Sequence, residues 1–265
     1  MLIDTHCHID EEAFTPDREE VIVRQQANGV EAMIVPGVNV ASITTVLDVC
    51  HRHPGFCYPA LGLHPEDVKA DWQEQLATVE EAIRAHRDEL VAIGEIGLDY
   101  YWDKTYKEEQ KEVLLRQLLL ARELDLPVIL HNREATEDIL ASVKETGGRG
   151  VFHCFSGSKE TAQIILNMGF YLGIGGVLTF KNSKLGDMLK ELDQSSIINH
   201  QSSILERLVL ETDAPYMAPV PHRGERNESI FMIHVAERLA QALDTTKEQV
   251  IEATSRNARL VFGIK

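Results

Sequence analysis

Short apolar runs that stop at polar residues alternate along this chain with longer segments in which apolar side chains recur every three or four positions. A strand covered on both faces reads as a continuous apolar run, and a helix laid on it shows one apolar stripe. The alternation therefore predicts βα units around a parallel sheet. Eight units can be counted, with strands at residues 2–6, 32–36, 57–61, 91–95, 128–131, 151–153, 171–174 and 208–211. Residues 16–28 predict a helix capped by Thr15, with Pro16 preset for the first turn and Gly29 ending it. Residues 106–124 predict another, with Val113, Leu114, Leu118, Ala121 and Leu124 as its stripe and Pro127 as its stop. A helix is predicted near 183–192, then a polar, irregular excursion over 194–203. Two closing helices follow, at 230–243, with Ile230, Ile233, Ala236, Ala240 and Leu243 on one face, and at 247–262. No Pro/Gly/Ser linker or break in composition divides the 265 residues, so the expectation is a single domain, 1–265, with an α/β fold of the (β/α)₈ TIM-barrel type.

In such a fold the reactive side chains gather at the C-terminal ends of the strands. Strand one ends in His6-Cys7-His8, strand four in Glu95, strand five in His131 and strand six in His153, and strand eight leads into Glu211-Thr212-Asp213. The two-residue period of a strand places His6 and His8 on one side and Cys7 on the other. It also turns Cys154 away from the side of His153, as a small buried filler, and sets Glu211 and Asp213 on a common face. One histidine at a strand end is more often a hydrogen-bonded rim or core residue than a ligand, so the distribution has to carry the argument. Of eleven histidines, His6, His8, His64, His131 and His153 fall at or just after strand ends, and His222 lies in the loop after strand eight. His51, His53, His86, His200 and His234 have no such register. A mixed imidazole and carboxylate set does not select one metal, since imidazole suits zinc, iron, nickel and copper while carboxylates extend the range to manganese and magnesium. Six candidate ligands (His6, His8, Glu95, His131, His153 and one of Glu211 and Asp213, the other orienting a neighbour) exceed the three or four of a single zinc site and suit two ions sharing one carboxylate.

Composition narrows the setting. At 44% apolar and 26% charged residues the chain is ordinarily globular. It has no apolar run long enough for a membrane span, and its N-terminus has no basic region before an apolar stretch, which gives the expectation of a soluble, unprocessed protein. Cysteines at 7, 50, 57 and 154 include no C-x-x-C pair and predict a reducing, cytoplasmic setting. A net charge of −16 argues against gripping long duplex nucleic acid through a broad basic surface. Two divalent ions would add four charges, −16 + 4 = −12, and only locally.

The blocks IDTHCHID at the start, LGLHPE at 61–66, GEIGLDYY at 94–101, PVILHNRE at 127–134, FHCFSG at 152–157 and LETDAPYMAPVPHRGERNE at 210–228 run through nearly the whole chain. With them the chain resembles the TatD-like metal-dependent hydrolases. The resemblance implies two divalent ions, Mg²⁺, Mn²⁺ or Zn²⁺. One would be held by His6, His8, Glu95 and Asp213 and the other by Glu95, His131 and His153, with Glu95 bridging. It places His64, Arg133, His222 and Arg223 as contacts to substrate phosphates or the attacking water, and Asp213 beside that water as general base. Ser229 departs from the pattern, standing where the family segment continues with proline. The implied activity is a deoxyribonuclease cutting phosphodiester bonds from the 3′ end of DNA, single-stranded or at 3′ ends; a strand end enters a pocket with few phosphate contacts and so suits an acidic chain. Tyr100, Tyr101 and Trp102, which follow Glu95, would stack a terminal base or pack over the rim. No membrane and no obligate protein partner is implied. The rival reading is an amidohydrolase-like enzyme for an ester or C–N bond, such as removal of D-amino acids from transfer RNA, because the same activated water attacks a carbonyl.

Overall fold

The computed structural model describes residues 1–195 and 203–264. Its strands are β1 (Leu2–Asp4), β2 (Val30–Pro36), β3 (Cys57–Leu61), β4 (Ala92–Asp99), β5 (Val128–Arg133), β6 (Gly150–Phe152), β7 (Tyr171–Ile174) and β8 (Leu208–Leu210). They form one sheet in the order β1-β2-β3-β4-β5-β6-β7-β8, with helices in the connections, which is the (β/α)₈ class expected from the alternation. Packing divides the chain into two compact units: Met1–Met33 with Cys154–Lys265, and Ile34–His153.

In the first unit, β8 lies beside β1: the Thr5 N–H donates to the Leu210 carbonyl at 3.1 Å, and Cys7 bridges to Ala214 in parallel register. The unit contains α1 (Arg18–Ala27), α6 (Lys159–Asn167), α7 (Leu185–Gln194), α8 (Met232–Ala242) and α9 (Lys247–Phe262). Phe14, Phe170, Leu172, Leu189 and Leu239 are fully buried in its core. A capping box between Thr246 and Gln249 starts α9, which has the expected bounds, and Gly263 in the left-handed region ends it.

Two expectations shift here. Thr15 does not cap α1; Asp17 holds the N-cap position without a side-chain cap, because its carboxylate is turned to the Arg226 guanidinium at 2.7 Å. The buried stripe of α8 is Met232, Val235, Ala236, Leu239 and Ala240, not one that includes Ile230, Ile233 and Leu243. Ile230 lies in a 3₁₀ turn before the helix, Ser229–Phe231, and Ile233 and Leu243 are half-buried, while Ala236 and Ala240 of the expected face are buried. Most of the expected excursion over 194–203, at 196–202, lies outside the described residues, as does His200; Gln194 closes α7 and Ser203 caps the 3₁₀ turn Ile204–Arg207.

The second unit contains α2 (Val40–Arg52), α3 (Trp72–Ala85), α4 (Lys107–Glu123) and α5 (Thr136–Thr146). Its core is built by Leu61, Leu76, Ile93, Leu98, Leu114 and Leu130. β4 and β5 run further than their apolar stretches. Ile96, Gly97, Leu98 and Asp99 pair with Leu130, His131, Asn132 and Arg133, after a register shift between Ile93 and Ile96. Polar residues usually mark a strand's exit, but this ladder carries its polar residues onward as site residues. The α4 stripe forms through Val113, Leu114, Leu118 and Ala121, with two glutamines buried among them, while Leu124, expected to end it, is the half-buried C-cap residue beyond the helix. Gln117 bonds the Leu63 main chain in both senses, at 2.8 and 3.1 Å, and Gln110 accepts the Asp99 N–H at 3.0 Å. Each substitutes for a sheet partner where the chain leaves its strand.

The close approach of β4 and β5 needs a glycine at Gly97 above all. A Cβ at Gly97 would lie 1.9 Å from the His131 carbonyl oxygen, so backbone has to move before any side chain fits. Gly97→Ala is expected to destabilise the chain by about 3 kcal/mol or more, read as a lower urea midpoint. Gly55→Ala, with nothing within 4 Å of the added carbon, is the control, at about 1 kcal/mol from backbone conformation alone.

Candidate metal centre

In the first unit β1 and β8 bring three ligand atoms together. The Nε2 atoms of His6 and His8 are 3.0 Å apart, and Asp213 Oδ1 lies 3.7 and 3.6 Å from them. The expected alternation explains the pairing, and Cys7 on the opposite side is buried, with the Ser229 hydroxyl 3.8 Å from its sulfur. Ligands about 2.1 Å from one ion at tetrahedral or octahedral angles lie about 3.0–3.4 Å from each other, so this triangle is close to the size a divalent cation requires. The donors, two imidazoles and a carboxylate, are also of the right kind. His6 is fully buried, whereas the Asp213 side chain keeps 20% of its surface exposed.

Main-chain bonds fix the triangle. The Asp213 N–H donates to the His6 carbonyl at 2.9 Å and the His8 N–H to the Ala214 carbonyl at 2.8 Å. Asp213 takes a left-handed conformation, φ 57°, which aspartate tolerates better than most residues. The Asn227 amide donates to the Thr212 and Tyr216 carbonyls at 2.8 and 2.7 Å, clamping both ends of that turn. Below lies the fully buried Asp4, whose Oδ1 accepts the His6 and Thr212 N–H groups at 3.2 and 3.0 Å and whose Oδ2 accepts the Thr212 and Ser229 hydroxyls, each at 2.6 Å. Burial pushes the Asp4 carboxyl up to about 7 against the pull of these donors.

In the second unit one carboxylate oxygen collects three imidazoles. Glu95 Oε1 is 2.9 Å from His131 Nδ1, 3.0 Å from His153 Nε2 and 3.4 Å from His64 Nε2. His131 stands within β5, and His153 and His64 follow the last residues of β6 and β3. His131 turns its other nitrogen to Asp99, at 2.9 Å from Oδ2, while Asp99 Oδ1 accepts the Tyr101 and Trp102 N–H groups at 2.8 and 3.2 Å. Burial alone would raise the Asp99 carboxyl, but His131 and the two N–H groups outweigh it and hold it below the usual range. Burial works to lower the His131 imidazole, and its two carboxylate partners overcome that and raise it. A histidine with one nitrogen toward the candidate site and the other on a buried carboxylate has its ring orientation set in advance. His64 accepts the Glu66 N–H on Nδ1 at 3.2 Å, which aims its Nε2 at Glu95. Ligand atoms of His64, Glu66 and His131 also lie within 4.8 Å of one another, so His64 groups with the candidate ligands.

Comparison with known proteins decides the family. The model of a family described as TatD related DNase matches residues 3–263. The chain belongs to the TatD family. An uncharacterised metal-dependent hydrolase, YabD of Bacillus subtilis, is 42% identical to this TatD-family chain with both sequences covered in full. A relative in Erwinia tasmaniensis described as a 3′-5′ ssDNA/RNA exonuclease is 31% identical over 99% of this chain and all of its own. Among solved structures, the TatD homologue YjjV of Escherichia coli superposes with a TM-score of 0.88 at 31% identity, covering 100% of this chain and 98% of that one. The chain is therefore a metal-dependent hydrolase by family, and its two histidine–carboxylate clusters fit that chemistry.

The remaining candidates lie apart from the ligand atoms. Arg133, at the end of β5, packs its guanidinium over the Tyr101 and Trp102 rings at 3.9 and 5.0 Å. His222 stacks on Phe231 at 3.7 Å with its Nδ1 2.9 Å from Glu225. Arg223 lies 3.9 Å over the Phe180 ring and donates to the Ala218 carbonyl at 2.9 Å. Tyr100 is buried and donates to Asp138 at 2.8 Å, whereas Tyr101 and Trp102 are exposed. Cys154 is half-buried, and its N–H donates to the buried Glu211 carboxylate. Glu211 fits there because Gly173 has no side chain; a Cβ would lie 2.2 Å from its Oε2.

Ser229, the departure from the family pattern, completes the Asp4 bonding. Ser229→Ala is expected to cost about 1–1.5 kcal/mol, and Asp4→Ala about 3 kcal/mol by stranding several buried donors, both measured by chemical denaturation.

Proposed function

We propose that this TatD-family chain, acting as one hydrolase domain over residues 1–265, is a deoxyribonuclease that removes nucleotides from the 3′ end of single-stranded DNA with two divalent ions. His6, His8, Glu95 and Asp213 would hold one ion and Glu95, His131 and His153 the other. The observation that carries this reading is the pair of histidine–carboxylate clusters at the strand ends of a chain matched by the TatD family from residue 3 to residue 263. Support for the substrate comes from the Erwinia tasmaniensis relative described as a 3′-5′ ssDNA/RNA exonuclease.

When bound, paired divalent ions supply a water of lowered pKa and Lewis-acid stabilisation of charge on a phosphoryl oxygen. The chain's own residues divide the remaining work. His6 and His8, buried and held by the Asp4 and Asp213 bonds, keep their nitrogens fixed before substrate arrives. Asp213 has an oxygen facing those nitrogens and a partly exposed side chain, which suits a carboxylate that takes the proton of the attacking water. Glu95 brings one oxygen to three imidazoles and orders the second cluster. Arg133 offers a planar, forked donor set for a phosphate. His64 extends the second cluster toward substrate, and His222 and Arg223 would contribute phosphate contacts only on leaving their present partners.

Metal-stripped protein given end-labelled single-stranded DNA and Mg²⁺, Mn²⁺ or Zn²⁺ is expected to show stepwise loss of 3′ nucleotides. Asp213→Asn is expected to lower kcat by about 10²–10⁴ with little change in KM. Hydrolysis confined to acyl or amide substrates under every metal would overturn the nuclease reading and favour the ester or C–N alternative.

A further inference from the structure

We propose that Tyr101, Trp102 and Arg133 form a subsite that stacks an unpaired nucleobase of the substrate strand and holds its adjoining phosphate; this rests on the nuclease reading above. The residues lie on the loop after β4 and at the end of β5. Trp102 and Tyr101 keep 63% and 49% of their surface exposed, with rings edge-to-face at 4.8 Å. Exposed aromatic side chains in contact with each other, on a loop beside a candidate metal cluster, bury little of their own apolar surface.

Arg133 supplies the cation of this cluster, its guanidinium lying over both exposed rings. Arg18, Arg87 and Arg223 reach main-chain carbonyls, and other arginines pair with carboxylates: Arg24 with Glu228, Arg84 with Glu123, Arg116 with Glu80, Arg149 with Asp125, Arg226 with Asp17 and Arg259 with Glu31. Among the described residues Arg133 makes no such pair and rests on the two rings. The nearby acids Asp103 and Glu134 lie 3.9 Å from Lys69 and Lys104, which offsets their repulsion of a phosphate. In a chain of net charge −16, a guanidinium without a carboxylate partner beside exposed aromatic faces matches what a single nucleotide presents, one π surface and one anion.

The platform is also tied to the metal cluster. Asp99 accepts the Tyr101 and Trp102 N–H groups on one oxygen and faces His131 with the other. Arg133 pairs with Asp99 in the β4–β5 register, two residues beyond His131. Stacking surface, phosphate donor and candidate ligand thus share one anchor, and a base held here has its phosphate at a fixed offset from the cluster. A small cavity that Trp102 lines with Lys69, Asp99 and Tyr106 holds only about 50 Å³, against about 300 Å³ or more for a ligand pocket. The base therefore stacks on the exposed aromatic face and does not insert behind it.

The test follows the emission of Trp102. Trp102 shares the chain with one other tryptophan, the buried Trp72, and Trp72→Phe leaves a single reporter. In that chain, also carrying Asp213→Asn and with Mn²⁺ present, a short oligothymidylate is expected to quench the emission, and an oligomer of equal length with abasic sugars is expected to bind at least tenfold more weakly. In an otherwise native chain, Trp102→Leu is expected to raise KM for oligothymidylate about tenfold or more with kcat within twofold, about 1.4 kcal/mol of stacking. Arg133→Leu is expected to weaken both oligomers alike. Equal binding of the abasic and thymidine oligomers, or an unchanged KM in Trp102→Leu, overturns the subsite while leaving the nuclease reading in place. Base-dependent quenching in a chain that cleaves no DNA under any metal overturns the nuclease reading and keeps the subsite.

Discussion

Imidazoles crowded against carboxylates in a dry interior are useful only if each ring is held in one orientation, and the rest of the site depends on how that is done. A buried polar group without partners costs more than most single contacts return, so every such group has to be bonded. Each unit solves this with a buried aspartate set behind the candidate ligands. Asp4 gathers donors from His6, Thr212 and Ser229 and thereby joins the end of β1 to the end of β8. Asp99 bonds His131 together with the loop that follows β4. The ligand atoms face one another because the groups behind them are fully engaged.

The glutamines of α4 and the amide of Asn227 extend the same logic to the backbone. Gln117 steadies Leu63 next to His64, Gln110 steadies Asp99, and Asn227 spans the turn that carries Asp213. A helix that packs by its leucines thus also sets the position of site residues on neighbouring strand ends. Packing and site geometry are linked through a few buried side-chain amides, with little reliance on surface ion pairs, which contribute little individually.

The βα alternation was legible because strand interiors read as apolar runs and helices as stripes, and α9 has the bounds its pattern predicts. The lengths of β4 and β5 were not, since a run broken by Glu95, Gly97 and Asp99 looks like a strand that has ended; only pairing with β5 shows that it continues. The face of α8 was legible only in part, because Met232, Val235 and Leu239 offer an apolar spacing as good as that of Ile230, Ile233 and Leu243, and Ile230 falls in a 3₁₀ turn before the helix. At the site, the two-residue period paired His6 with His8, and the strand ends supplied Glu95, His131 and His153. Asp4, Asp99, Gln110, Gln117 and Asn227 gave no comparable signal, because a polar residue that bonds main chain behind a ligand looks in sequence like any other polar residue near a strand end. His64 was expected at the substrate, and its position beside Glu95 follows from a cap to Glu66 visible only in three dimensions.

The most direct test of this account is the number of ions the chain holds. Equilibrium dialysis of metal-stripped protein against Mn²⁺ or Zn²⁺, with the bound metal counted by elemental analysis, is expected to give two ions per chain. One ion is expected to remain in His8→Ala and one in His153→Ala, each variant having lost a different cluster. A wild-type chain that binds a single ion, lost equally in both variants, or that binds none, would contradict the assignment of the two clusters as metal sites.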